Sequence, residues 1–435
     1  MTTLIEPTTG ARLTATSAPA SPAPAPSTLS TRTARDASID VARAWCLVVV
    51  VALHSFMVGV SMAGGAPLLE NAMDGWGGFA ALTWFVQIMP LFFVLGGFSS
   101  VTQWSRLRTR GVSASDYLAL RMRRLLPPAL GAMGVTAVVL LVLSLSGVPA
   151  DMVAVAGFRM SQPLWFLGVY LLCTALVPLM TAAHRAAPRV AVAALAALVV
   201  AVDATRITTG IEALGFANLL FVWLLLQQLG FHLADGRVST NRRTLLAVAA
   251  VALGTLAALC VNGVYSFDLF DNLNPPTAAL VLLGVAQLCL FQLARPALRR
   301  LHGIRGVATA VSAIGARAMT IYSWHMLVLI GLAGVLLVTV GDELPAPLTE
   351  AWWLTRPVWI ASVLVVVALL VAVVGRREAA ADPGRPTTPA HPATAVTAVL
   401  LAAVGVVLVL VFGASAAAWF AGALLLVGAL RLATP

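Results

Sequence analysis

The sequence predicts an all-α protein of the polytopic membrane class, a helix bundle that crosses a lipid bilayer many times. Of its 435 residues, 60% are hydrophobic and only 10% are charged, whereas soluble domains carry about 25% charged residues. Apolar stretches of about 20 residues, the length that spans a bilayer, recur along the chain. Arginines collect in alternate gaps between these stretches, which is typical of cytosolic loops.

Twelve stretches are apolar and long enough to be membrane-spanning helices. We interpret the last two as a helical hairpin appended to a ten-helix core, so that ten to twelve spans are expected. The stretches cover residues 42–62, 79–100, 127–147, 163–182, 188–204, 216–234, 244–264, 277–294, 318–340, 354–375, 394–413 and 415–432.

The arginines orient these helices because basic loops stay on the cytosolic side of a membrane. They precede the first predicted helix and follow each even-numbered one up to the tenth, at Arg32, Arg35, Arg106, Arg108, Arg110, Arg121, Arg123, Arg124, Arg185, Arg189, Arg237, Arg242, Arg243, Arg295, Arg299, Arg300, Arg305, Arg376, Arg377 and Arg385. The opposite gaps are mainly acidic. Twelve spans with this alternation place both termini in the cytosol.

Four segments follow from composition. Residues 1–37 are rich in Pro, Ala, Ser and Thr, which predicts a disordered cytosolic tail. Residues 38–375 form the predicted membrane domain, 376–393 a cytosolic linker and 394–435 the C-terminal transmembrane hairpin.

The net charge of +10 follows from the loop asymmetry, so we expect membrane lipids and no nucleic acid as partners. The four cysteines lack the spacing of metal ligands, and we expect no metal.

The first helix carries ionisable residues inside an apolar run, "DVARAWCLVVVVALHSF". Arg43 and His54 are eleven residues apart, about three helical turns or roughly 16 Å, so they share one face at different depths. Arg43 is expected at the cytosolic rim and His54 near the middle of the membrane. Ionisable residues at that depth usually face the bundle interior and mark function, although a neutral, hydrogen-bonded His54 is an alternative.

The segment before the third predicted helix, "SRLRTRGVSASDYLALRMRRLLPPAL", holds six arginines. Arg121 and Arg124 are one turn apart and face the same way, and Pro127 and Pro128 fit the first turn of the helix that follows. Paired guanidinium groups suit an anionic ligand such as phosphate. The alternative is a topogenic cluster that contacts anionic lipid head groups. Gly96 and Gly97, in "PLFFVLGGF", permit close backbone approach and are compatible with simple helix packing.

Together these motifs resemble integral-membrane acyltransferase family 3, the transmembrane acyl transferase superfamily. The family's R-x10-H motif falls on Arg43 and His54, and its R-x-x-R motif falls on Arg121 and Arg124. "PLWFL" with Trp165 resembles the family's fourth helix, and "YSWHM" with His325 resembles its late aromatic-His motif. The similarity spans about residues 36 to 375.

Two positions depart from the family pattern. Ala44 stands where the family usually has Gly, and Gly96 stands where it often has Ser. The second change removes a hydroxyl. His325 is expected either to have a functional role or to be an interfacial His beside an aromatic belt, where Trp165 and Tyr322 are also expected. His184, His232 and His302 flank cytosolic loops and are expected to be solvated.

The resemblance implies an O-acyltransferase of the cell membrane. Acyl-coenzyme A, expected to be acetyl-CoA, would donate its acyl group to a hydroxyl of a glycan, lipid or small molecule. Arg43, Arg121 and Arg124 would hold the donor, and His54 would act as general base or form an acyl-histidine. Trp165 and His325 would contact substrate. The alternatives are a transporter or flippase without covalent chemistry, and a structural membrane partner.

Overall fold

The computed structural model describes residues 36–63, 66–380 and 390–434. They form sixteen α-helices, two short strands and the 3-10 helices Glu212–Ala217 and Gly341–Glu343. In chain order the elements are α1 (Ala37–Met57), β1 (Val58–Ala63), β2 (Ala66–Asn71), α2 (Phe79–Val86), α3 (Met89–Thr109), α4 (Ala114–Leu145), α5 (Ala150–Ser161), α6 (Leu164–Ala175), α7 (Val177–Ala186), α8 (Pro188–Thr209), α9 (Asn218–Ala234), α10 (Arg242–Val261), α11 (Ala278–His302), α12 (Arg305–Ala316), α13 (Ala318–Thr339), α14 (Glu350–Ala380), α15 (Pro392–Phe412) and α16 (Ala416–Ala433).

The helical membrane architecture is confirmed. Within the described ranges, eleven helical segments are long and apolar enough to cross a bilayer, and a bent segment from α5 to α7 would be the twelfth. The bend of 51° lies between Ala175 and Val177. Pro178 follows directly, and its missing N–H removes a helical hydrogen bond at the break. The cytosolic placement of both termini stays a prediction.

The first span is shorter than the sequence predicts. α1 ends at Met57, and residues predicted to continue the helix to 62 instead form β1, which pairs antiparallel with β2. Val58 belongs to the same buried cluster as Met326 and Leu329 of α13, so β1 packs on the bundle just beyond the end of α1. Non-helical backbone is stable there because the two strands satisfy each other's hydrogen bonds.

The third predicted span, in contrast, begins earlier than expected. α4 starts at Ala114, where the Ser113 side chain accepts a hydrogen bond from the Asp116 N–H at 3.1 Å and caps the helix. The prolines at 127 and 128 therefore lie inside the helix and not in its first turn, and the prediction of a boundary there is wrong. The arginine motif lies on an α4 that is already formed.

Helices α3 and α9 pack closely through glycine. A side chain at Gly97 would overlap the backbone carbonyl of Gln227, and one at Gly230 would overlap the carbonyl of Val94 and come within 2.9 Å of the Gly97 Cα. Small residues allow such close approach between membrane helices, where van der Waals packing drives association.

The C-terminal hairpin, α15 and α16, is docked against the rest of the bundle. Its apolar side chains, such as Val406 and Leu426, belong to the same buried cluster as Leu126 of α4 and Leu167 of α6. Arg123 of α4, itself buried, donates from Nε to the carbonyl oxygen of Ala433 at 2.7 Å and satisfies the end of α16.

Two predicted segments fall largely outside the described residues. The predicted disordered tail, residues 1–37, overlaps the description only at its last two positions. The predicted linker, residues 376–393, is shortened at both ends because α14 continues to Ala380 and α15 begins at Pro392. The remainder of that linker lies outside the described part of the chain.

We expect Gly230→Ala to destabilise the protein by about 1–3 kcal/mol, because the added methyl group must push α3 and α9 apart. Gly254→Ala in α10 is the matched control, since no atom lies within 4 Å of its added Cβ. Thermal unfolding of both purified variants, followed by tryptophan fluorescence, measures the difference. Equal unfolding temperatures for the two variants would contradict the close packing.

Candidate active site

Helix α1 positions two of the predicted site residues, Arg43 and His54. It is continuous from Ala37 to Met57, with Asp40 in its first turn, where the negative charge interacts favourably with the helix dipole and stabilises the helix. His54 lies in the last turn, directly before β1. The motif therefore begins near one end of α1 and finishes at the other.

The end of α1 nevertheless lies inside the bundle. His54 contacts His325, which lies seven residues along α13, roughly 10 Å from its first residue. On its other side, the Trp359 indole donates to the carbonyl of Ser55 at 2.8 Å, and Trp359 lies nine residues along α14, roughly 13 Å from its first residue. His54 is therefore separated from both ends of these neighbouring helices.

The two histidines form a direct hydrogen bond. The His54 Nδ1 and His325 Nε2 atoms are 2.7 Å apart, and the rings are nearly parallel, with an interplanar angle of 7°. His325 is fully buried, and its Nδ1 lies 2.7 Å from the Tyr322 carbonyl oxygen. The expectation of an interfacial His beside an aromatic belt is therefore wrong, because His325 has no exposed surface.

Tyr322 links two of the sequence motifs. It is buried, and its hydroxyl donates to the carbonyl oxygen of Pro163 at the start of α6. Its ring packs edge-on against Phe166, with 4.9 Å between centroids. The "YSWHM" and "PLWFL" segments are thus in contact, and the expectation that Tyr322 belongs to an interfacial belt is wrong. Trp165 is partly buried and packs against Trp223 at 5.8 Å.

The arginines of the two motifs lie in different surroundings. Arg43 donates to the Ser99 hydroxyl at 3.2 Å and lies 5.9 Å from the centre of the Phe92 ring. Arg121 is buried and donates from Nε to the Tyr117 hydroxyl at 3.3 Å. Arg124, one turn further along α4, is exposed. Of the predicted α4 pair, the structure places only the first guanidinium inside the bundle.

A band of aromatic rings joins Arg43 to the histidines. Phe92, which Arg43 overlies, is 6.3 Å from Tyr170 and 5.2 Å from Phe166 between ring centres. The band continues from Phe166 to Tyr322 and so to the histidine pair. The sequence motifs contain Phe92, Phe166 and Tyr322, but the contacts between these rings could not be derived from chain order.

A pocket opens beside the aromatic band, between α3, α6 and α9. It is small and is lined by Phe93, Gly96, Gly97, Ser100, Tyr170, Cys173, Thr174 and Gln227. The Gln227 side-chain oxygen is buried and has no hydrogen-bond partner among the described residues. At Gly96, where the family often has Ser, an added Cβ would lie 4.0 Å from the Tyr170 ring, an ordinary van der Waals contact, so a small side chain would fit there.

Two other polar features have structural roles. His184, expected to be solvated, is buried between Gln228 and Asp235, with contacts of 2.9 and 3.1 Å, so that expectation is wrong. In α8, the buried carboxylate of Asp203 accepts from the Tyr265 hydroxyl at 2.7 Å and from the Ala278 N–H at 2.8 Å. These bonds fix the loop before α11.

Comparison with known protein families identifies the domain that contains these residues. The chain matches the acyltransferase domain of family 3 over residues 36–377, which is most of its length. No curated protein and no solved structure matches it. The matched region contains the histidine pair, the arginines and the aromatic band between them. On this match the chain belongs to acyltransferase family 3.

Proposed function

We propose that the protein is a membrane O-acyltransferase that moves an acyl group, expected to be acetyl, from acyl-coenzyme A to a hydroxyl of a glycan, lipid or related envelope molecule. The observation that supports this most is the state of His54. The residue is only partly buried, and its Nε2 has no hydrogen-bond partner among the described residues. Such an imidazole suits the removal of a hydroxyl proton near neutral pH.

The donor is proposed to enter from the arginine end of the aromatic band. Coenzyme A carries several phosphates at one end and a thioester at the other, joined by a long arm. Arg43 and Arg121 are the guanidinium groups that could hold the phosphates by charge-assisted hydrogen bonds. The exposed Arg124 would attract the same charge from solvent. The arm would then follow Phe92 and Phe166 inward and bring the thioester toward His54.

The reaction then needs only one proton acceptor. His54 Nε2 takes the hydroxyl proton of the acceptor while the oxygen attacks the thioester carbonyl carbon. The carbon–sulfur bond breaks, and the leaving thiolate takes the proton from His54 Nε2 and becomes a thiol. The products are an ester and free coenzyme A, and the base is regenerated.

The acceptor is proposed to approach His54 from the side covered by β1 and β2, which lie beyond the end of α1. This arrangement would separate donor and acceptor entrances in a multi-pass protein of the cell membrane. Trp165 packs against Phe166 and Trp223 without a described contact to either histidine of the pair, and its contact with substrate stays a prediction.

We expect His54→Ala and His54→Gln to lower kcat by about 10²- to 10⁴-fold, the usual contribution of a general base. Transfer from labelled acetyl-CoA to membrane glycans and lipids, together with release of free thiol, measures the effect. The exposed His391 offers a matched control, and His391→Ala should keep normal transfer.

Normal transfer by a folded His54→Ala variant would refute the base assignment. Movement of unmodified substrate across vesicles, without any acyl transfer by the wild-type protein, would instead favour a transporter. A labelled acyl group retained on His54 after rapid quenching would replace direct transfer by a covalent relay.

Neighbouring arginines of α4 allow a matched test of donor binding. We expect Arg121→Gln to raise the KM for acetyl-CoA about 10- to 100-fold, because a hydrogen bond to a charged group contributes about 1.5–3 kcal/mol. Arg124→Gln should raise it less, because that side chain is exposed. Steady-state kinetics at varied donor concentration measure both values.

Arg123→Gln is the control for loss of a buried guanidinium. It breaks the hydrogen bond to Ala433 and should lower the unfolding temperature without a change in donor KM. A donor KM for Arg121→Gln equal to that of the wild type would exclude this residue from donor binding.

A further inference from the structure

The direction of each hydrogen bond around the histidine pair follows from a single acceptor, the Tyr322 carbonyl. A carbonyl oxygen can only accept, so the His325 Nδ1 at 2.7 Å must carry a proton. In a neutral imidazole the other nitrogen, Nε2, is then an acceptor. The bond of 2.7 Å to His54 therefore requires a proton on the His54 Nδ1.

The same rule fixes the protonation state of the remaining nitrogen, His54 Nε2. With its proton on Nδ1, neutral His54 presents an unprotonated Nε2. This is the nitrogen that has no partner among the described residues, and the His54 side chain is partly exposed. The tautomer that a general base requires is thus set by a carbonyl two side chains away.

We propose that His325 is a positioning residue, which holds His54 in the Nδ1-protonated form and directs Nε2 at the acceptor hydroxyl. This inference rests on the proposed acyl transfer. His325 itself is unsuited to contact substrate, because it is fully buried and both ring nitrogens are already in hydrogen bonds. It therefore replaces our expectation that His325 binds substrate directly.

The surroundings of the pair keep this geometry rigid. The Tyr322 hydroxyl is bound to the Pro163 carbonyl, which fixes the turn of α13 that supplies the controlling acceptor. The Trp359 indole holds the carbonyl of Ser55, the neighbour of His54. Hydrogen bonds to the second ring nitrogen of a functional histidine fix its tautomer and orientation.

The pair also accounts for the charge that appears during transfer. When His54 Nε2 takes the hydroxyl proton, the ring becomes cationic and its Nδ1–H donates more strongly to His325. The Tyr322 carbonyl dipole lies at the far end of the line and stabilises positive charge shared along it. The proton on Nε2 then passes to the leaving thiolate, and both rings return to their neutral forms.

We expect His325→Leu to lower kcat about 10- to 100-fold, the usual effect of losing the hydrogen bond that orients a functional histidine. The donor KM should stay within about twofold of the wild-type value. His325→Gln should recover part of the rate, because its amide oxygen can accept from the His54 Nδ1–H. His184→Leu is the matched control. It removes another buried histidine that has two hydrogen bonds, to Gln228 and Asp235, and no described contact with the pair. It should lower stability without changing kcat.

A second measurement does not depend on turnover. Nitrogen-15 solid-state NMR of the histidine-labelled protein in lipid should show a protonated Nδ1 and an unprotonated Nε2 for His54, with its signals identified by their loss in His54→Gln. A proton on Nε2 of His54 in the wild-type protein, or an unchanged kcat in a folded His325→Leu variant, would overturn the inference.

The two proposals fail in different ways. Absence of acyl transfer by the wild-type protein would reject the proposed function, whatever the tautomer. Transfer by the wild type with equal kcat in His325→Leu would reject only the positioning role. If His325→Leu fails to fold, His325→Gln and the wild-type NMR spectrum still decide the question.

Discussion

The hydrogen bond between His54 and His325 is the interaction on which the site depends, because it joins the first helix to a helix 271 positions later in the chain. Polar groups inside a membrane bundle must find hydrogen-bond partners within the protein, since the surrounding lipid offers no water to bind them. The bond satisfies one nitrogen of each ring, and the Tyr322 carbonyl satisfies a third. Only Nε2 of His54 is left for chemistry.

Helix geometry around the pair follows from the same constraint. α1 ends beside His54, and the chain continues as a hairpin whose strands satisfy each other's backbone groups. On the other side, close glycine contacts between α3 and α9 bring the aromatic band and its pocket together. Packing of apolar surfaces thus positions the few polar groups.

Much of the functional prediction came from the family resemblance. The structure shows which relations between the site residues spacing could predict and which it could not. Arg43 and His54 share one helix, so their relation could be derived from spacing alone. The Arg121 and Arg124 spacing predicted a common face, yet one guanidinium is buried against Tyr117 and the other is exposed. A turn of helix sets direction within about 60°, and only the neighbouring helices decide whether that direction is inside or outside. His184 was misjudged for the same reason.

By itself the sequence determined the helical membrane class, a total of ten to twelve spans and the family, because hydropathy and short motifs are local properties. It also showed that the first apolar stretch contains an ionisable histidine. Tertiary structure alone decided the partner of that histidine, the early end of α1, the start of α4 at Ala114 and the docking of the last hairpin through Arg123. Each of these depends on contacts between residues far apart in the chain, which neither periodicity nor composition records.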